Sequence, residues 1–337
     1  MRRPAAWRRQ RGTYAVLFAL LLPVLMVFVA LTIDFGYFWL VRTQLQAGAD
    51  AAALAGVREL DGTRARYGQA QLVTRRYGDL HRAGDRMINL LPEDVTLGSW
   101  SFETRVFTAD DGTLPPYMVN AVQAVARRSG ATALDTFFAR VFGRTKQNLT
   151  ATAIAVGGSP RVACGFPVVL PSCLMIEHNG EVQCPGTLTF SNTNANTSGW
   201  TVFLPGAPVS TPLVEGAIAN ALSEACTQNA STGKVVYLAN GNNLPTRSVN
   251  DINDAVAAAG AGGLFVYIPI VDLGSDCSQL IFNRTVRILG FVEAKLLGAT
   301  GPPNKSITIS PDCTKVDDTT AGGWYYGLPT TGVYLGR

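Results

Sequence analysis

Histidine is nearly absent from this 337-residue sequence, which contains only His81 and His178. Zinc sites and catalytic triads usually need a histidine beside other ligands or a nucleophile, and neither histidine belongs to a local motif of that kind. No G-x-S-x-G, H-E-x-x-H or C-x2-C pattern occurs either. The sequence therefore predicts no enzymatic activity, no cofactor and no metal site.

Two features that look like binding motifs have simpler interpretations. Gly260-Ala261-Gly262-Gly263 is expected to follow a helix and enter a strand, whereas a phosphate loop runs from strand to helix. Four aspartates could supply oxygen ligands to calcium, but helix capping and turn formation explain them more simply. These aspartates are Asp251, Asp254, Asp272 and Asp276.

Charge is absent from Thr13 to Ile33. At about 1.5 Å per helical residue, this stretch spans the ~30 Å hydrocarbon core of a bilayer. A secretion signal has a shorter apolar region and ends at a small-x-small cleavage site, whereas this run leads into Asp34-Phe35-Gly36. We expect residues 13–33 to be a transmembrane helix with Asp34 at its far interface, and a cleavable signal is the less favoured alternative.

An arginine cluster precedes the apolar run and consists of Arg2, Arg3, Arg8, Arg9 and Arg11. The positive-inside rule places residues 1–12 in the cytoplasm as a basic arm, and the rest of the chain outside it. Without these five arginines, 23 Lys and Arg face 24 Asp and Glu. The basic pI therefore comes from the arginines of the basic arm. The rest of the chain is nearly neutral, so nucleic acid is not expected as a partner.

Cysteine is absent before Cys164, and an even number follows. An even set of cysteines in a segment expected to lie in an oxidising compartment predicts disulfides, with fifteen connectivities left open. The disulfide candidates are Cys164, Cys173, Cys184, Cys226, Cys277 and Cys313.

Residues 11–56, "RGTYAVLFALLLPVLMVFVALTIDFGYFWLVRTQLQAGADAAALAG", carry several distinctive elements. They are Arg11-Gly12, Leu22-Pro23, Asp34-Phe35-Gly36 and the alanine-rich run that ends at Gly56. This series closely resembles the N-terminal module of the TadE/TadG-like proteins of bacterial Flp (tight adherence) pilus assembly. Residues 97–111, 120–128 and 134–156 also look like the stretch that follows this module. The resemblance covers roughly the first 160 residues and implies a bacterial envelope protein.

Residues 34–60 contain no proline and many good helix formers, so the membrane helix is expected to continue into solvent. Gly48, Ala52 and Gly56 recur every four residues, a spacing that allows another helix to approach closely. They are candidates for packing either on helices of other envelope proteins or on the protein's own outer domain. We expect a second helix from Arg64 to about Arg82.

The chain beyond the long helix is expected to form two domains, residues 61–158 and 159–337. The first is predicted to be a small pilin-like α+β domain, with strands near residues 96–108, 118–127 and 148–156 and a short helix over 134–142. Gly157-Gly158-Ser159-Pro160 is the expected linker. The second is predicted to be a mainly β, disulfide-bonded domain, so the fold class is α+β.

The strand candidates of the second domain are residues 234–238, 263–271, 285–292 and 306–310. Its expected helices are residues 212–225 and 251–259.

Gly12-Thr13 lies where prepilin peptidases cut in pilin families. Counting from Thr13, the fifth residue is Leu17, whereas pilin assembly favours an acidic residue there. This departure is similar to TadG-like members and favours an uncleaved anchor. A processed pseudopilin in a filament is the alternative.

The expected function is that of a non-enzymatic, single-pass component of Flp/Tad pilus assembly or a related envelope system. Its partners are expected to be the inner membrane, other pilus-assembly or envelope proteins and further copies of the chain, with the C-terminal domains in the periplasm. The rival function is a membrane-tethered module that binds a carbohydrate or surface ligand. Aromatic side chains that could stack on a sugar are Trp200, Trp324, Tyr325 and Tyr326, although burial of these rings is the favoured interpretation.

Overall fold

The structure is a computed structural model. It describes residues 11–191, 199–204, 209–223, 225–227, 229–239, 244–274, 277, 280, 282–313, 317–326, 330–332 and 334–336. Most of the basic arm and the calcium candidate Asp276 lie outside the described residues.

Four α-helices are described: α1 Arg11–Val57, α2 Tyr67–Gly78, α3 Thr211–Leu222 and α4 Thr246–Ala259. The strands before the first cysteine are β1 Arg82–Ala83, β2 Arg86–Met87, β3 Val95–Trp100, β4 Phe107–Ala109, β5 Ala121–Arg128, β6 Leu134–Asp135, β7 Lys146–Gln147, β8 Leu149–Val156 and β9 Val162–Ala163. The later strands are β10 Val168–Pro171, β11 Leu188–Ser191, β12 Gly199–Trp200, β13 Ala230–Ser231, β14 Val235–Tyr237, β15 Leu264–Val271, β16 Thr285–Thr300, β17 Ser306–Pro311, β18 Asp317–Thr320, β19 Thr330–Gly332 and β20 Tyr334–Leu335.

The first sheet packs against the C-terminal part of α1, residues 37–57, which is here called the outer part of the helix. Its five strands follow the order β20-β8-β5-β3-β4, and all four pairings are antiparallel. The register pairs Val122 with Ala155 and Ala124 with Ala153, and these side chains share one core with α1 and α2. Small residues on both surfaces bring the helix close to the sheet.

The second sheet has seven strands in the order β11-β17-β16-β15-β10-β12, with β14 also paired to β16. The β10–β15 pair is parallel, and the other pairs in this sheet are antiparallel. Large aliphatic side chains of α3 and α4 share a core with this sheet. A further core surrounds Phe282 and Phe291. The α+β fold class predicted from sequence is confirmed.

Strand and helix positions agree with the sequence predictions in most places. The second helix is shorter than predicted and ends at Gly78. β16 extends beyond the predicted Val292 to Thr300, with a register shift between Leu296 and Gly298. Gly298 has φ +146°, a backbone conformation that glycine adopts readily, so the strand continues past this irregularity.

The predicted helix over residues 134–142 was wrong. Leu134–Asp135 forms β6, which pairs with β7, and only Ala139–Phe142 forms a short 3-10 helix. The amide N–H groups of residues 137–139 donate to the carboxylate of Asp34 on α1. This long-range contact and the strand pairing replace the local helical hydrogen bonds.

The expected linker is a tightly packed junction. Gly157, Gly158, Ser159 and Pro160 are all buried. Gly158 has φ +128°, and a Cβ added there would lie 2.0 Å from the carbonyl oxygen of Gly323. These glycines therefore allow close backbone approach. The division at residues 158 and 159 remains a prediction, and β20 returns from the end of the chain to pair with β8 in the first sheet.

Candidate functional site

The N-terminal part of α1 exposes its apolar side chains. A helix long and apolar enough to cross a membrane is found within Tyr14–Val57, and none of its most apolar 18-residue window is buried. The helix continues through Pro23 without interruption. A helix that is apolar all round and packs on nothing in its own chain is typical of a membrane span.

Burial of α1 begins at Asp34. The Asp34 side chain is only 2% exposed, and its carboxylate accepts hydrogen bonds from the backbone N–H groups of Phe137 (2.8 Å), Phe138 (3.0 Å) and Ala139 (2.7 Å). Three amide donors satisfy a carboxylate that would otherwise be costly to bury. Asp34 therefore attaches the helix, one residue after the charge-free run, to the segment between β6 and β7.

The face of α1 that carries Gly48, Ala52 and Gly56 is covered by other parts of the same chain. A Cβ added at Gly56 would lie 1.8 Å from Thr74 Oγ1 and 3.0 Å from the carbonyl oxygen of Ala70, both on α2. Gly48 faces Ile88 and His81, and Ala52 is fully buried near Gly78. α2 and the following hairpin therefore occupy this face of α1.

A second network ties the hairpin β1–β2 to the first sheet. The buried guanidinium of Arg128 donates to the carbonyl oxygens of Ala83 and Thr132 and forms an ion pair with Asp85 at 3.0 Å. The hydrogen bond from Arg128 holds the pKa of Asp85 below its usual value. Gln44 on α1 accepts from the N–H of Gly84 at 2.7 Å. The hairpin is thus fixed between helix and sheet.

The outer end of α1 contacts the cysteine-containing region. The hydroxyl of Tyr325 donates to the carbonyl oxygen of Val57 at 3.5 Å, and the N–H of Tyr325 donates to the carbonyl oxygen of Tyr117 at 2.9 Å. Tyr325 is fully buried, and this burial raises the pKa of its hydroxyl. A protonated, desolvated phenol is suited to a permanent contact between two parts of a protein.

Most of the aromatic residues considered for sugar stacking are buried. Trp200, Tyr325 and Tyr326 belong to the buried set, and Trp324 is half-buried. Tyr117 packs against the rings of Trp324 and Tyr326, with centroids 6.1 and 5.5 Å apart. These rings mainly form the junction between the two regions, which weakens the carbohydrate-binding interpretation.

A cleft of about 550 Å³ lies beside this junction. Tyr117, Glu177, His178 and Asp272 are among its lining residues, while His81 lies beside α1 instead. Within the part of the chain that the structure describes, no group of three or more His, Cys, Asp or Glu residues is placed to hold a metal ion. Of the calcium candidates, Asp251 and Asp254 lie on α4 and Asp272 follows β15.

All six cysteines form disulfides in the structure. Cys164 pairs with Cys226, Cys173 with Cys277 and Cys184 with Cys313. The bonds join residues 62, 104 and 129 positions apart, so they close long loops across the second region. The structure thus selects one of the fifteen connectivities that the sequence left open.

The remaining predicted site residues lie at the start of α1. Gly12 and Thr13 fall within the first turn of the helix, and Leu17 is exposed one turn further on. Their processing stays a prediction. The Gly260–Gly262 segment is a 3-10 turn between α4 and β15, as the sequence predicts.

Two contacts were not anticipated from the sequence. Asp34 was expected to face the membrane interface, but it also holds residues 137–139. Burial of Tyr325 is the favoured expectation from the sequence, but its contact with Val57, which joins α1 to the second region, is not. The distance along the chain between the partners, 103 to 105 residues for Asp34, explains why no local pattern revealed the first contact.

These features define a class of protein. It is an α+β protein with a long N-terminal helix. The first half of this helix is apolar and exposed, and the first sheet packs on its outer part. Residues 12–59 match the model of the Flp pilus-assembly TadE/G-like family, and residues 40–155 match that of the Tad-like Flp pilus-assembly family. The N-terminal and central regions are therefore similar to Tad-type pilus-assembly proteins, which confirms the resemblance seen in the sequence. No curated protein and no solved structure matches the chain significantly.

Proposed function

We propose that this protein is a non-enzymatic, single-pass component of Flp/Tad pilus assembly or of a related envelope system. The basic arm lies in the cytoplasm, residues 13–33 cross the bacterial inner membrane, and the two outer regions lie in the periplasm. The observation that carries the proposal is the exposed apolar run of α1, which is continuous with a Tad-type module.

The arrangement of α1 supports a structural role. One helix contains both the apolar run and the side chains that pack on the first sheet, so the outer domain is attached to the span without a flexible linker. Because α2 and the following hairpin cover the face of α1 that carries Gly48, Ala52 and Gly56, contacts with other pilus-assembly proteins or with further copies of the chain use the lipid-exposed face of the run or the outer regions.

A pair of reporter fusions tests the topology. A reporter that works only in the cytoplasm should be silent when joined after Arg337, whereas a reporter that works only in the periplasm should be active there. The cytoplasmic reporter joined after Arg11 serves as the control and should be active. Strong cytoplasmic-reporter activity after Arg337 would contradict the proposed orientation.

Cleavage between Gly12 and Thr13 distinguishes a filament subunit from a membrane anchor, which keeps residues 1–12. Leu17 lacks the carboxylate that pilin-like subunits place at the fifth mature position, so we expect the mature protein to retain residues 1–12 and to fractionate with the inner membrane. N-terminal sequencing and fractionation measure this. A mature protein that begins at Thr13 and is recovered with sheared pili would favour the pseudopilin alternative.

A further inference from the structure

The segment of residues 136–145, here called the collar loop, exposes an unusual set of side chains. Val141 is 80% exposed and Phe142 is 65% exposed, and Phe137 and Phe138 are also classed as exposed. Three phenylalanines and a valine within six residues form a cluster of exposed apolar side chains. A cluster of this kind marks an interaction surface, whereas single exposed apolar residues are ordinary.

The collar loop is held firmly in place. The carboxylate of Asp34 accepts three of its amide N–H groups, and the rings of Tyr37 and Phe137 meet edge to face with centroids 5.5 Å apart. The N–H of Thr136 donates to the carbonyl oxygen of Thr145 at 3.1 Å, which closes the loop at its base. The exposed side chains are therefore presented on a fixed backbone.

The position of the collar loop relates it to the membrane. Asp34 directly follows the charge-free run, and Leu31, within the run, lines the same crevice as Ala139. On the helix, Phe35 and Trp39 are exposed just beyond this level. Aromatic side chains at the end of a span are typical of the interface between hydrocarbon and water. The collar loop thus lies beside the end of the apolar run.

The charges of the segment fit an anionic surface. Residues 136–147 contain Arg140, Arg144 and Lys146, all exposed, and no Asp or Glu; the exposed Asp135, just before them, lies opposite Lys146 in the β6–β7 pair and leaves the local net charge positive. Arg42, on the neighbouring face of α1, is also exposed. Apolar side chains flanked by cations are the combination that inserts into a headgroup region containing anionic lipids.

We propose that the collar loop is a membrane-contact site. Phe138, Val141 and Phe142 enter the leaflet from which α1 emerges, while Arg144 and Lys146 contact lipid phosphates. The loop and Asp34 together thereby fix the orientation of the first sheet on the bilayer. This inference rests on the proposed function in one respect, because it requires α1 to cross the membrane.

The depth of the loop can be measured with a thiol-reactive, environment-sensitive fluorophore. Since all six natural cysteines are paired, Phe142→Cys in the full chain adds a single free thiol. Val106→Cys is the matched control, because Val106 is also exposed, at 54%. Val106 directly precedes β4, which pairs with residues 98–100 of β3. These residues lie at the end of the sheet that is remote from the collar loop. The labelled proteins are reconstituted in vesicles of phosphatidylethanolamine and phosphatidylglycerol.

We expect the probe at residue 142 to show blue-shifted emission and several-fold stronger quenching by lipid-attached quenchers than the probe at residue 106. The expected depth is about 5–10 Å into the boundary between headgroups and acyl chains. Arg144→Gln combined with Lys146→Gln should reduce the quenching at residue 142 in these vesicles and leave it unchanged in vesicles of phosphatidylcholine alone.

Equal, water-like emission at both positions would overturn the proposal. Shielding of residue 142 in native membranes but not in pure lipid vesicles would also overturn it, in favour of a protein partner. Extraction with alkaline carbonate distinguishes failure of the inference from failure of the proposed function. If carbonate releases the protein, α1 does not span the membrane; if the protein is retained but residue 142 is water-exposed, only the collar-loop proposal fails.

Discussion

The region around α1 and the cysteine-containing region stabilise their cores by different means. The first has no cysteine, and alanine supplies much of its buried helix and sheet surface. The second has three disulfides and a core rich in large aliphatic and aromatic side chains. The buried alanines of α1 and its sheet are Ala49, Ala52, Ala53, Ala121, Ala124, Ala126, Ala151, Ala153 and Ala155.

The difference follows from how each region is organised along the chain. α1 is a single element of 47 residues on which the hairpin, α2 and the first sheet all pack, so close approach to one helix organises that region. The second region has shorter helices, many short strands and long connections. Cross-links between distant segments reduce the entropy of its unfolded state, an effect that grows with loop length.

The largest expected effect is the loss of a long-range disulfide. Cys184→Ala combined with Cys313→Ala should destabilise the second region by about 2–5 kcal/mol, because the bond closes a long loop. Hydrogen exchange measured by mass spectrometry should show faster exchange in β15–β17 than in the unchanged protein. The outer part of α1 and β5 should keep most of their protection, and equal loss in both regions would show that the two are not separately stabilised.

A smaller effect is expected from one methyl group between α1 and α2. Gly56→Ala places a Cβ against Thr74 Oγ1, whose hydroxyl already donates to the carbonyl oxygen of Ala70 at 2.7 Å. Overpacking of this kind costs about 1–3 kcal/mol, which exceeds the gain of about 1 kcal/mol from the higher helix propensity of alanine. Urea unfolding of the full chain in detergent measures the loss of stability. Hydrogen exchange of the α1 amides is the readout.

Gly216→Ala on α3 is the matched control for Gly56→Ala, because no atom lies within 4 Å of its added Cβ. It should stabilise α3 by up to about 1 kcal/mol. Thr74→Ala should restore part of the stability lost in Gly56→Ala, since it removes the oxygen in the way. If both glycine variants stabilise the protein, close packing does not distinguish the first region from the second.

The sequence predicts those features that depend on local pattern. Neighbouring residues alone indicate the charge-free run, the strands of the second region and the alternation of β5. The structure has a helix at the first and strands at the other positions. The small-residue spacing at Gly48, Ala52 and Gly56 predicted helix packing, but the partner helix could not be identified. Spacing describes the face of one helix and contains no information about what covers it.

Features that depend on contacts between distant residues were missed or misjudged. Residues 134–142 favour a helix locally, yet the carboxylate of Asp34 takes their amide groups. Gly157 and Gly158 suggest a linker, yet Tyr325 packs against Gly157 and the backbone of Gly323 packs against Gly158. The disulfide pairing likewise depends on the overall fold. In each case a tertiary contact outweighs the local preference.

The smallest expected effect concerns Tyr67, the first residue of α2. Its hydroxyl is buried and has no hydrogen-bond partner among the residues that the structure describes. Burial, with the nearby charge of Asp110, raises the pKa of Tyr67 to about 12. The unfolded chain, with a tyrosine pKa near 10, therefore loses this proton first as the pH rises. The contribution of Tyr67 to stability is complete below about pH 10 and is lost between about pH 10 and 12.

Tyr67→Phe removes the group responsible, so the alkaline decrease in the free energy of unfolding should become shallower. At neutral pH the variant should be as stable as the unchanged protein or more stable by about 1 kcal/mol, because it no longer buries an unpaired hydroxyl. Tyr77→Phe on the same helix is the control, since Tyr77 is 47% exposed. Urea unfolding at a series of pH values measures both slopes.

Part of the alkaline decrease should persist in Tyr67→Phe, because burial also raises the pKa of Tyr325 at the junction. An unchanged slope in Tyr67→Phe would place the alkaline sensitivity at that junction and not within the α1 region.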